Sequence, residues 1–349
     1  MKRRSFLKTL AAGASLSFAA GERTLSAEPS THTSMGVVQY SFSTSPHARS
    51  AYDFLEYCSW LGAGGIQTGL DSLDPAYLER LRRRTAELGM YLEVTVGLPR
   101  VEDSTDFERQ VAAAVQAGAR CLRSACLSGR RYENFSSLDQ WKDFVTDSHK
   151  RIARAIPILE KHHMPLGLEN HKDWTVDEMV ALLERHASEH LGVCLDIGNN
   201  IALLDDPRDA IEKLVPHVVT THFKDMAVME DPEGFLLSEV PLGTGILDLP
   251  WVVESIRRAR PRARMNLEMI TRDPLKVPCL TDKYWLTFPE RRSLCLSRAL
   301  ALVREHPPRE PLPHVSGLDE QARRQLEEDN VKQCLAYAGE KLGLPGVSK

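Results

Sequence analysis

Residues 165–174 read PLGLENHKDW. Pro165 to Leu168 look like a strand buried on both faces, and Glu169, Asn170 and His171 are groups that burial penalises. Outward from this stretch the pattern recurs. Short apolar runs alternate with amphipathic segments of helical length: MGVVQYSF (35–42), GGIQTGL (64–70), YLEVTVGL (91–98), ARCLRSACL (119–127), PLGLENH (165–171), LGVCLDIGN (191–199), HVVTTHFKD (217–225) and ARMNLEMI (263–270). These are eight candidate strands. Segments such as DPAYLERLRRRTAELG (74–89), with an acidic start, an early proline and a closing glycine, carry helix start and stop signals. STDFERQVAAAVQAGA (104–119) and TVDEMVALLERHASEH (175–190) read the same way.

Apolar strands separated by helices indicate a parallel sheet, and eight such units in one run favour a closed α/β barrel, a (β/α)8 TIM barrel, over a doubly wound sheet. No GxGxxG follows the first run, as a dinucleotide-binding sheet would require. Two strand-to-strand intervals are long, 127–165 and 226–262, and both leave C-terminal strand ends, where barrel enzymes build their sites. SGLDEQARRQLEEDNVKQCLAYAGEKLG (316–343) reads as one or two extra C-terminal helices after a proline-rich connector.

The N-terminus reads as a leader. KRRSFLK (2–8) followed by TLAAGASLSFAAG has a basic region and an apolar region too short to span a bilayer, and Arg3–Arg4 with Ser5, Phe6, Leu7 and Lys8 match a twin-arginine signal. Small residues place cleavage between Ala20 and Ala27. The expected organisation is a signal peptide over 1–27, a linker over 28–35, the barrel over 36–306 and a helical extension over 307–349. Twin-arginine export of a folded protein implies a periplasmic or other extracytoplasmic destination, with the export machinery as a partner. Residues 1–27 hold five basic and one acidic residue, so the chain of net charge −4 becomes −8 without them. An acidic body without a basic stripe argues against nucleic acid and against a membrane as partners after cleavage. Homo-oligomerisation is left open. The seven cysteines are scattered and lack CxxC pairs; an oxidising compartment permits one disulfide, but no pair is indicated.

Ionisable residues interrupt the strand runs at Glu169, Asp196, His222 and Glu268, each near the C-terminal end of the fifth to eighth candidate strands. The strand period of two lets all four point into the barrel. Three buried carboxylates so close would repel at a cost of several kcal/mol unless a cation holds them. One nitrogen and three carboxylates suit Mn²⁺ first, with Mg²⁺, Co²⁺, Fe²⁺ or Zn²⁺ as alternatives.

These residues, their strands and the HFKD context resemble the xylose isomerase-like TIM-barrel superfamily, in particular its sugar phosphate isomerase/epimerase branch. The resemblance covers Gly36 to Arg304, and VPLGTGILDLP (240–250) also resembles the family's loop. It implies Glu169, Asp196, His222 and Glu268 as metal ligands, with Glu169 and Glu268 as catalytic proton carriers. Many epimerases carry a histidine three residues after the sixth-strand aspartate, and Asn199 stands there. His171, on the face of Glu169, is a candidate substitute or an orienting group. Substrate contacts are expected from His171, Asn199, Lys224 and Arg272. Lys224 is expected to stabilise negative charge on substrate oxygen, or else to pair with Asp225 or a nearby glutamate. Glu93 is expected to pair with an interior arginine such as Arg123, and Asn170 to meet the surrounding helices. The loop holding Arg272 and Lys276 is a candidate cover for the pocket, and Tyr284 and Trp285 either stack on a sugar or pack on the barrel rim.

The expected activity is a divalent-metal-dependent sugar isomerase or epimerase, abstracting a proton next to a carbonyl through a metal-stabilised enediolate. The substrate is a small sugar or sugar derivative. A keto-sugar or 3-keto-glycoside lyase or dehydratase using the same site is the alternative, and an exported sugar-binding barrel without turnover is the third.

Overall fold

A computed structural model describes residues 32–100, 102–288 and 290–346. The leader motif and its cleavage region lie outside the described residues. The strands are β1 (Gly36–Val38), β2 (Gly65–Thr68), β3 (Tyr91–Thr95), β4 (Leu122–Ser124), β5 (Leu166–Glu169), β6 (Leu191–Asp196), β7 (Val218–Phe223), β8 (Asp225–Asp231), β9 (Gly234–Val240), β10 (Arg264–Leu267) and β11 (Leu275–Val277). The helices are α1 (Ala51–Trp60), α2 (Pro75–Glu87), α3 (Thr105–Gln116), α4 (Arg131–Asn134), α5 (Leu138–Lys161), α6 (Val176–His186), α7 (Pro207–Leu214), α8 (Leu249–Ala259), α9 (Arg292–Glu305) and α10 (Glu320–Lys341).

Eight strands close a parallel barrel in the order β1-β10-β7-β6-β5-β4-β3-β2. The TIM-barrel expectation holds, with β10 as the eighth barrel strand. Helix starts follow the sequence signals. Asp74 caps α2 through Ala76 N and Tyr77 N, with Pro75 in the first turn, and Thr175 and Glu178 form a reciprocal capping box on α6. Leu78, Leu81, Met179, Leu182 and their counterparts bury the inner helix faces against the barrel.

The lower barrel interior is polar instead of being filled with branched aliphatics. Tyr91 plugs it, donating to Asn266 Oδ1 at 3.0 Å; a Cβ on Gly65 would stand 2.5 Å from the Tyr91 ring, so the glycine makes the room. Above it, Glu93 Oε2 accepts from Gln67 Nε2 at 3.0 Å, Thr220 Oγ1 at 2.5 Å and Asn266 Nδ2 at 2.9 Å. Glu93 therefore does not pair with Arg123. Strand register explains the difference: Arg123 lies level with Thr95, two residues above Glu93, and faces the next layer.

The interval after β7 holds an unforeseen antiparallel sheet, β8–β9–β11. With Tyr284, Trp285, Phe288 and apolar residues of α9 it forms a second apolar cluster beside the barrel rim. Tyr284 donates to Ala202 O at 2.9 Å and Trp285 to Cys279 O at 2.8 Å, so both pack there and not on the site. Lys276 pairs with Glu233 (2.6 Å) and Asp231 (3.4 Å) at the edge of this sheet, away from the pocket. The C-terminal extension contributes one helix, α10. Its buried Glu327 accepts from the backbone amides of Ser43 and Thr44, both at 3.1 Å, bracing the turn after β1. Thr33, in the expected linker, bridges to Pro345, and Met35 is fully buried. All seven cysteines are free thiols. Among the described residues, no helix is long and apolar enough to cross a membrane.

Candidate metal centre

The four sequence-named residues converge. One ligand atom from each of Glu169, Asp196, His222 and Glu268 lies within 4.8 Å of all the others, and all four residues are buried. Parallel register places them: Asp196 is level with His222, His222 with Asn266, and Glu169 with Cys194, two residues before Asp196. Glu268 follows β10 and donates its amide to Phe223 O at 2.9 Å.

His222 is oriented from below. Its Nε2 meets Gln67 Oε1 at 2.6 Å. An amide oxygen only accepts, so Nε2 carries a proton and Nδ1 is the nitrogen turned to the carboxylates. Burial lowers the imidazole pKa, but Cys194, Glu268 and Glu169 raise it well above its ordinary value, so without a cation the ring is charged and an ion would take the place of the Nδ1 proton. Nδ1 is buried without a hydrogen-bond partner, and faces Glu268 Oε1 at 3.2 Å, Glu169 Oε1 at 3.5 Å and Asp196 Oδ2 at 3.9 Å. An orphaned imidazole nitrogen turned toward three carboxylates fits a divalent cation.

The other oxygens of the glutamates are engaged by cations. Arg123 Nη2 donates to Glu169 Oε2. Lys224 Nζ lies 2.5 Å from Glu268 Oε2 and 2.7 Å from Asp196 Oδ2. Burial raises the carboxyl pKa of both glutamates, but the charges of Arg123 on one and of His222 and Lys224 on the other hold them well below the usual range. Asp196 is raised by burial, against Lys224.

Lys224 thus pairs with the glutamate and aspartate of the site and not with Asp225. Asp225 binds backbone instead, accepting from Gly243 N at 3.0 Å, Gly245 N at 2.9 Å and Leu247 N at 3.1 Å. It thereby folds the PLGTGIL loop against β8; a Cβ on Gly245 would stand 2.2 Å from Asp225 Oδ1.

A cavity of about 450 Å³ opens on two of the four, Glu169 and Glu268, and is also lined by Arg123, His171, Lys172 and Arg272. His171 Nδ1 lies 3.1 Å from Gly129 O and donates to it, leaving Nε2 for the cavity. Burial, and then Lys172, push the His171 pKa down to about 3, so the ring is neutral. Asn199 donates to Glu169 Oε1 at 3.0 Å and accepts from Lys172 Nζ. Arg272 lines the cavity while gripping Glu239 through two bonds, at 2.6 and 3.1 Å. Asn170 clasps neighbouring strand ends instead of meeting helices: its Oδ1 accepts from Asp196 N at 2.8 Å and its Nδ2 donates to Asp196 O at 2.7 Å. Gln67, Lys172 and Glu239 were missed by the sequence reading. Gln67 carried a signal, a polar residue interrupting the run GGIQTGL.

A family model described as Xylose isomerase-like TIM barrel matches residues 55–283. The chain belongs to this family. A 3-oxo-isoapionate decarboxylase of Pectobacterium atrosepticum is 31% identical over 236 residues, covering 64% of this chain and 80% of that one. The crystal structure of D-psicose 3-epimerase in the presence of D-fructose superposes with a TM-score of 0.59 at 15% identity, over 90% of this chain and 99% of the other. The crystal structure of a protein named IOLI with a binding zinc atom superposes at 0.53 with 14% identity, over 78% and 95%. The two structural likenesses carry the xylose isomerase-like fold. The 31% relative ties the chain to an enzyme of the family.

Proposed function

We propose that this chain is a divalent-metal-dependent enzyme of oxo sugars or their derivatives, and that it breaks a bond β to the substrate carbonyl instead of shuttling a proton between neighbouring carbons. Glu169, Asp196, His222 and Glu268 would hold the ion, which supplies Lewis acidity that polarises a carbonyl.

The observation that carries the lyase reading is the occupancy of the glutamates. Each presents one oxygen to His222 Nδ1 and the other to a cation, Arg123 or Lys224. A carboxylate so engaged is a poor base. Decarboxylation of a β-oxo acid needs no such base, because the electron pair comes from the bond to the carboxylate and not from a C–H bond. In a decarboxylation the bond to the carboxylate carbon breaks, its electron pair flows toward the carbonyl, carbon dioxide leaves, and a proton is later added at carbon. Arg123 and Lys224 hold the ligand carboxylates ionised, while Lys172, which lines the cavity and carries a transferable proton, is the candidate to protonate the carbon; the neutral His171 presents only an acceptor there. The 31% identical decarboxylase supports this fate.

The isomerase or epimerase reading retains one observation. Glu268 after β10 and Glu169 on β5 flank His222 on β7, at 3.2 and 3.5 Å from Nδ1, so a carbon chain bound over the site would have one carboxylate on each side. Incubating Mn²⁺-loaded protein with 2-oxo and 3-oxo sugars and sugar acids in D₂O decides between them. Released carbon dioxide supports the decarboxylation; an unsaturated product, whose formation begins with proton removal beside the carbonyl, supports the dehydratase and shows that a glutamate acts as base after all. Deuterium beside the carbonyl with the carbon skeleton intact supports the epimerase, and no reaction with measurable binding supports a binding barrel. Export through the twin-arginine route is proposed from the sequence alone; fractionating cells that express the chain with and without Arg3→Lys/Arg4→Lys tests it.

A further inference from the structure

Four cations and four carboxylates surround the inner end of the cavity. Arg123 pairs with Glu169, Lys224 with Asp196 and Glu268, and Arg272 with Glu239. Lys172 is the exception. The residue is 4% exposed, and among the described residues its ammonium has no carboxylate within ion-pair distance; its hydrogen bond goes to Asn199 Oδ1. With His222 neutral, as it must be to act as a ligand, these four positive and four negative groups sum to zero. A divalent cation bound by the four ligands would leave two positive charges in excess in a buried place, a state that is costly unless a bound anion offsets it.

The position of Lys172 limits what that anion is. Asn199 accepts from Lys172 and donates to Glu169 Oε1 at 3.0 Å, so the ammonium stands one amide away from a metal-ligand carboxylate. An anionic group at Lys172 is therefore close to the activated carbonyl, attached to the carbonyl carbon or the one after it. A phosphate at the far end of a sugar chain does not meet this condition. We infer that the substrate carries a carboxylate beside its carbonyl and that Lys172 receives it. The inference rests on the carbonyl-activating function proposed above and adds the substrate class, an oxo sugar acid.

The matched probes are 2-keto-D-gluconate and D-fructose, which differ at C1 by carboxylate against hydroxymethyl, with D-fructose 6-phosphate as a third. Binding to the Mn²⁺-loaded full chain is measured by calorimetry, after a Mn²⁺ titration of the same protein. The keto acid is expected to bind at least about tenfold more tightly than fructose, the usual scale for a buried charge-assisted hydrogen bond. Lys172→Met and Lys172→Gln are expected to remove that preference and leave Mn²⁺ affinity within about twofold, because Lys172 is not a ligand. Equal binding of acid and fructose, tighter binding of the phosphate, or a preference that survives both substitutions overturns the inference. If neither variant folds, the preference of the wild-type protein is followed with pH: a preference that does not fall as the lysine loses its proton comes from chelation of Mn²⁺ alone and overturns the role of Lys172. Failure to bind Mn²⁺ overturns the functional reading instead, so the two failures are distinct.

Discussion

Gln67 Oε1 stands 2.6 Å from His222 Nε2, while the Gln67 amide nitrogen donates to Glu93 at 3.0 Å. The glutamine cannot flip without losing both bonds, so a buried carboxylate one layer down determines which nitrogen of His222 faces the other ligands. Gln67→Leu is expected to weaken Mn²⁺ binding about 10- to 100-fold. Competition with a fluorescent chelator measures it, with circular dichroism as the control for folding. Unchanged affinity would mean that strand packing alone orients the ring.

Lys224 does part of the work of a cation for Asp196 and Glu268 when no ion is present. Lys224→Met leaves both carboxylates without it and is expected to destabilise the metal-free protein by roughly 3 kcal/mol. Added Mn²⁺ is expected to restore most of the loss, since ligand at a hundred times its Kd contributes about 2.7 kcal/mol to stability. Urea melts with EDTA and with Mn²⁺ test this coupling. Equal destabilisation in both conditions would rule out a shared electrostatic role.

Burial, and then the neighbouring charge of Lys224, lower the Lys172 pKa to about 8. The ammonium is charged below that value and neutral above it. A bound divalent ion adds positive charge nearby and moves this titration further down, so affinity of the Mn²⁺-loaded protein for 2-keto-D-gluconate is expected to fall as pH rises toward and past 8, and the fall should vanish in Lys172→Met. The same shift has a consequence for folding. Between about 8 and the ordinary lysine value the unfolded chain holds a proton that the folded chain has released, so this residue makes stability rise with pH over that window. Affinity that does not change across pH 8 would remove Lys172 from the binding step.

Arg131 anchors the outer shell of the site. Its guanidinium lies 3.6 Å from the Trp141 ring centroid and 4.0 Å from that of Phe288, and it donates to Glu178 Oε2 at 2.7 Å and Thr287 O at 2.5 Å. Arg131→Ala removes two desolvated stacking contacts and a partly buried ion pair, and is expected to cost roughly 3 kcal/mol. A lowered urea midpoint with an unchanged slope is the expected measurement; an unchanged midpoint contradicts it.

The convergence of the four candidate ligands is legible in the sequence because two local rules suffice. Ionisable groups near the ends of apolar runs mark a site, and period two decides which face they share; Glu169, Asp196, His222 and Glu268 need nothing more once the barrel is inferred. Gln67 obeys the first rule as well and was passed over because a lone polar residue in a strand has many uses. Arg123 was recognised as interior but given the wrong partner. Its alternation marks the face it shares with Glu93, but which layer it reaches depends on the stagger between β3 and β4, and no residue spacing in one strand encodes that. Asn170 failed for a related reason: the backbone groups it clasps become available only where β5 and β6 end side by side.

From the amino-acid order alone follow the alternation of strands and helices, the closed barrel, the four inward residues and the added C-terminal helix, since each depends on periodicity or on signals a few residues long. Tertiary structure alone decided the charges around those residues. Residues brought together by β4 and β9 and by the segments after β5, β6, β7 and β10 give Glu169, Glu268 and Glu239 their cations, and leave Lys172 with an amide in place of a carboxylate. Electrostatic energy depends on distances of a few ångströms between groups far apart along the chain, and packing fixes those distances.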